Sequence, residues 1–100
     1  MKNCCLTLLC PPVHEEKLLD LLLMAPDATI FTSATVATHG LPSASMEAAE
    51  QVLGRARSTQ VQVLLDSAGK EALLSEIRAQ FPGGRLLYWV TPVAESGVLP

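Results

Sequence analysis

Aromatic residues are scarce in this chain: one Trp, one Tyr and two Phe among 100 residues. That removes the stacking platforms on which single-stranded nucleic acid is bound. Positive charge is scarce as well. Seven Lys/Arg stand against ten Asp/Glu, for a net charge of −3, so the basic face that a nucleic-acid partner requires is missing. The three cysteines, Cys4, Cys5 and Cys10, form an odd set in one short segment and are no disulfide framework. On a strand, Cys4 and Cys5 point to opposite faces and Cys4 and Cys10 lie about 20 Å apart, so three ligands do not converge on one metal. They read as buried small hydrophobes in a reducing compartment. Long apolar runs are missing too. The stretch "LLDLLLMA", 18–25, is too short to span a bilayer and carries Asp20. After Lys2, "NCCLTLLCPPV" ends at two prolines. It lacks the long apolar segment and the small residue of a signal peptide, and Leu9 before Cys10 fits no lipidation site. A cytoplasmic protein without membrane insertion is expected. No hydrolytic triad, HExxH, P-loop or CxxC pair occurs.

What the chain does have is apolar bulk, 49% of residues. At this length one compact domain over 1–100 buries roughly 60–70% of its unfolded surface. Residues 3–10 read as a strand that is apolar on both faces, Cys4, Leu6, Leu8 and Cys10 on one and Cys5, Thr7 and Leu9 on the other. That pattern marks a central strand. Pro11 and Pro12 stop it, Pro12 sits near a helix start, and Glu15 and Glu16 suit a helix N-terminus. The helix runs to about Ala25, where Pro26 and Asp27 end it. Leu18, Leu19, Leu21, Leu22, Leu23 and Met24 wrap over half of its circumference, more than one sheet can cover, so a partner subunit is expected on it.

Residues 28–40 are β-branched and alternating, a second strand. A polar stretch, 41–58, follows; a short helix is expected over 46–53 with Ser45 as a cap and Gly54 as its end. The spacing predicts a third strand over 59–66, an amphipathic helix over 69–81 broken by "PGG", and a fourth strand over 85–93. Strand–helix–strand–strand–helix–strand is the α+β, ferredoxin-like βαββαβ sandwich: a four-stranded antiparallel sheet with two helices on one face. Strands one and three then lie in the middle. The face without helices would carry Cys5, Leu9, Phe31, Leu64, Leu87 and Trp89, an apolar patch that asks for an oligomer.

Chemistry-bearing residues collect at the chain breaks. "GRAR" (Gly54, Arg55, Arg57) precedes strand three and "GGR" (Gly83, Gly84, Arg85) precedes strand four. Glycines free backbone N–H groups to approach an anion, and arginine offers a charged fork to phosphate or carboxylate. Each motif alone also reads as turn glycines with solubilising arginines. Strands three and four flank strand one in the expected fold, so a ligand touching both clusters would lie between subunits. His14 reads as a solvated surface residue. His39, before Gly40, opens the long loop. With Glu47 or Glu50 it offers imidazole and carboxylate to a divalent metal such as Zn or Cu.

The stretch "GGRLLYWVTPVAESG" resembles the part of PII signalling proteins in which a glycine-and-lysine phosphate loop leads into a last strand ending in a proline–valine–acid pattern. "EQVLGRA" is similar to the point where the PII T-loop returns into its third strand. With "HG" closing strand two, nearly the whole chain resembles, in element order, a family of small PII-like proteins often associated with heavy-metal efflux systems. The resemblance implies a non-enzymatic homotrimer that binds a small anionic ligand, an adenine nucleotide among the candidates, in clefts between subunits. It also implies a loop that reports the ligand to a protein partner, a transporter among the candidates. Carried over, the T-loop spans about 40–54, its base is His39, Gly40, Arg55 and Arg57, and the phosphate loop is Gly83, Gly84 and Arg85, with Gly54 counted among the ligand-binding candidates. The long glycine-rich phosphate loop of true PII proteins is here cut to "PGGR". The modifiable tyrosine and the basic C-terminal motif are missing, which bears on ATP and 2-oxoglutarate sensing. Two other readings stay open. One is a metal-responsive protein similar to the CutA-type trimers, using His39 and loop carboxylates. The other is a ferredoxin-fold hydrolase or monooxygenase.

Overall fold

A computed structural model of the chain describes residues 2–26, 30–41 and 54–100. Strand β1, Cys4–Cys10, leads through a 3-10 turn, Pro12–His14, into helix α1, Glu15–Met24. Strands β2, Ile30–His39, and β3, Arg55–Leu65, follow, then helix α2, Ser67–Gln80, and strand β4, Leu87–Pro92. The sheet order is β2-β3-β1-β4 and every pairing is antiparallel. This is the α+β, ferredoxin-like sandwich expected from the order of elements, with β1 and β3 in the centre.

The alternation of β1 explains that placement. Cys4, Leu6, Leu8 and Cys10 are buried in one core cluster with Val61, Val63 and Leu65 of β3. Leu18 and Leu22 of α1 and Leu73, Leu74, Ile77 and Phe81 from α2 and its end complete the cluster, so both helices cover the same sheet face. Burying a side chain such as Leu6 or Leu18 stabilises the fold by about 1.5–3 kcal/mol.

Helix α2 starts two residues earlier than the apolar spacing suggests because Asp66 caps it: its carboxylate accepts from the Ala68 N–H at 3.0 Å. Its other end is tied to α1, where the Lys17 ammonium donates to the Gln80 carbonyl at 2.5 Å and sits 4.9 Å from the Phe81 ring centre. A cation at a helix C-terminus is favoured by the exposed carbonyls there.

Two details depart from the sequence reading. Strand β3 begins at Arg55 and not at Thr59, since the ladder with β2 continues to the pair His39–Arg55 and supplies hydrogen bonds to residues with no apolar alternation. Phe31 is not on the face without helices. It pairs with Val63 and packs against the core, while its neighbour Ile30 pairs with Leu64 and takes the open face, 55% exposed. Directly opposed residues share a face, so this register decides the matter. Cys5, Leu9, Leu64, Leu87 and Trp89 do lie on the open face, as their pairings show. The short helix expected over 46–53, its cap Ser45 and the metal candidates Glu47 and Glu50 lie outside the described residues.

Candidate functional site

Beyond Cys10, which pairs with Thr59, β2 and β3 run on without a third strand and form a two-stranded arm. His39 opposes Arg55 and Ala37 opposes Arg57, so His39, Arg55 and Arg57 stand on one face of the arm, and all three are exposed. The other face of the arm is closed: Thr38, Ala56 and Ser58 are buried, and the Thr38 hydroxyl donates to the Ser58 hydroxyl at 2.9 Å. The arm thus presents its basic groups in one direction from a backed surface. Gly40 and Gly54 end its strands with φ of +80° and +69°, left-handed conformations that glycine takes without strain.

At the same end of the sheet, on the other side of β1, the turn after α2 carries Gly83, Gly84 and Arg85. Arg85 has φ of +56°, a conformation rare for a residue with a side chain. The Gly84 N–H donates to the Phe81 carbonyl at 3.0 Å, so this amide is committed to the helix end. Leu87 pairs with Leu9, whereas Arg55 lies four residues before Thr59. Two strand spacings separate β3 from β4, about 10 Å, and Arg55 stands about 13 Å further along the arm. The two arginine clusters therefore share an end of the sheet but belong to opposite sides of β1.

Two cavities lie on the helix side. The larger, of ≈ 550 Å³, runs between α1 and α2 beside Leu21, Met24 and Leu73, with Lys17, Asp20 and Glu76 at its edge. The smaller, of ≈ 210 Å³, reaches the turn with Gly83, Gly84 and Arg85, and it also takes in Arg78 and Tyr88. The sequence reading missed both of these residues. Arg78 reads only as an outward position of an amphipathic helix, and the local pattern of β4 says nothing of what Tyr88 faces. No group of three His, Cys, Asp or Glu side chains able to hold a metal occurs among the described residues. Among the described residues no helix is long and apolar enough to cross a membrane.

Similarity to known proteins bears on the fold. A protein of the DUF3240 family from Shewanella baltica OS155 superposes over 100% of this chain and 99% of its own, at 15% identity and a TM-score of 0.82. CPII, a nitrogen regulatory PII-like protein from Thiomonas intermedia K12 whose structure holds ADP, AMP and bicarbonate, matches over 97% of this chain and 96% of its own. Its identity is 14% and its TM-score 0.73. A putative PII-like signalling protein from Thermus thermophilus matches over 91% and 86%, at 13% identity and a TM-score of 0.64. No curated protein matches. The fold is thus the PII-like version of the ferredoxin sandwich. The model of the family described as "Protein of unknown function (DUF3240)" matches residues 1–100, and the chain belongs to that family.

Proposed function

We propose that this protein is a non-enzymatic, PII-like regulatory module, a homotrimer that binds a small anionic ligand in the clefts between its subunits. The observation that carries the reading is the arm: His39, Arg55 and Arg57 share one exposed face towards its outer end, at the sheet end that also bears Gly83, Gly84 and Arg85. Because the two arginine clusters flank β1 in one chain, a ligand that bridges them draws on two subunits. Likeness of fold to CPII, whose structure holds ADP, AMP and bicarbonate, makes those anions the first ligands to try. In this reading the protein acts in the cytoplasm. The segment between Gly40 and Gly54 passes the bound state to a protein partner, a transporter of a heavy-metal efflux system being the first candidate.

Calorimetry against ADP, AMP, ATP, bicarbonate, Zn²⁺ and Cu²⁺ tests it. One of the anions should bind, and Arg55→Ala should weaken that binding about tenfold or more with the melting temperature unchanged, since a hydrogen bond to a charged group contributes about 1.5–3 kcal/mol. Arg55→Lys should recover only part, because lysine lacks the planar fork. If the metal ions bind and none of the anions does, the CutA-like reading with His39 replaces this one.

A further inference from the structure

The smaller cavity, ≈ 210 Å³, opens between the second half of α2 and the start of β4. Its wall includes Leu74, Ile77 and Phe81, each no more than 8% exposed, so its depth is apolar. Three polar side chains line the same space from two different elements and the turn between them: Arg78 of α2, Arg85 of the turn and Tyr88 of β4. None of its described lining residues is acidic. An apolar pocket with a few polar groups on its wall is the usual form of a small-molecule site, and two arginines with no acidic residue among the described lining favour a negatively charged ligand.

The backbone narrows the choice of anion. Phosphate sites gather several free N–H groups around the oxygens. Here the Gly84 N–H is already given to the Phe81 carbonyl. A side chain at Gly84 would meet Phe81 Cβ at 3.0 Å and Leu86 Cδ1 at 3.1 Å, so the turn is packed tightly against the wall. With that amide withheld, more of the recognition falls to the arginine forks, which pair two-pronged with a carboxylate, and the apolar depth favours an acid with an apolar body over a bare inorganic anion.

We propose that this cavity binds a small carboxylic acid with an apolar body. Arg78 and Arg85 hold the carboxylate, the Tyr88 hydroxyl adds a donor, and the apolar body lies against Leu74, Ile77 and Phe81. The site is contained in one chain and goes beyond the inter-subunit cleft, with which it shares only the turn of Gly83 to Arg85.

Titration of the full-length protein with benzoate and hexanoate, followed by ¹H–¹⁵N NMR, tests the proposal. Saturable shifts are expected in residues 74–88, with benzylamine and inorganic phosphate giving none. Arg78→Gln, at an exposed position, should weaken benzoate binding about tenfold with an unchanged melting temperature. Arg55→Ala should leave it within about twofold, since distant sites act independently. That last arm separates this site from the cleft, because loss of nucleotide binding alone would leave benzoate binding intact. The proposal is overturned if neither acid gives saturable shifts, if the shifts centre on the arm at 36–40 and 55–58, if benzylamine binds as well as benzoate, or if phosphate competes on equal terms.

Discussion

Cys10 is fully buried at the end of β1, with its thiol directed to the Pro11 carbonyl at 3.2 Å. Burial, and next the negative charge of Glu15, push the thiol up from 9.0 to about 11. A folded-state value above the unfolded one means that the native protein keeps a proton the unfolded chain releases. The stabilisation is whole below pH 9 and is lost as pH rises through 11. Two units amount to roughly 2–3 kcal/mol over that window. Denaturant unfolding at about pH 8 and about pH 10.5, either side of the unfolded value, checks this. Cys10→Ala should be less stable than wild type at the lower pH because of the cavity, but it should lose less between the two values. Equal losses would place the alkaline sensitivity elsewhere.

At the scale of the element, the end of α2 is held from three sides: Lys17 on the Gln80 carbonyl, Phe81 N–H on the Ile77 carbonyl, and Gly84 N–H on the Phe81 carbonyl. Gly84 is buried, and a methyl group there would also come within 3.1 Å of the Phe81 carbonyl oxygen, which is backbone and cannot turn aside. Gly84→Ala should therefore destabilise the protein by about 1–3 kcal/mol, the usual range for overpacking. Gly83 has nothing within 4 Å of an added Cβ, but its φ of +71° makes a side chain there strained for a different reason. A Gly84→Ala protein that melts with wild type would mean the turn shifts freely and that the neighbouring cavity is no fixed site.

For the whole molecule, the open sheet face governs assembly. Leu87 and Trp89, 49% and 41% exposed, join Ile30, Leu64, Leu9 and Cys5 on it, and Leu23 and Met24 of α1 add further exposed apolar surface. An exposed apolar patch of this kind marks an interface. The expected state is a trimer by light scattering, and Trp89→Asp, on the open face opposite Thr7, should dissociate or unfold it. Cys5 supplies a second measure. Half-buried in the single chain, it should react with a thiol reagent slowly in wild type and rapidly in any dissociated Trp89→Asp protein that stays folded, while Cys4 and Cys10 remain buried in both. A stable monomer at micromolar concentration in wild type would remove the inter-subunit cleft with it.

The alternation of residues 3–10, the β-branched run of β2, the amphipathic spacing of α2 and the breaks at "PGGR" were enough to determine the order of elements and the central place of β1. These signals are local: hydrophobic period and turn chemistry act within a few residues. Tertiary structure decided the rest, because it turns on pairings between distant segments. Phe31 faces the core and Ile30 the open side only because β2 pairs with β3 in one register, and a slip of one residue would exchange them. The same register sets His39 opposite Arg55 and extends β3 four residues beyond its apolar pattern. Arg78 and Tyr88, ten residues apart in sequence and on different elements, meet at one cavity only because the turn at Gly84 folds β4 back along α2. No spacing within the chain encodes that meeting, since it depends on packing across the sheet.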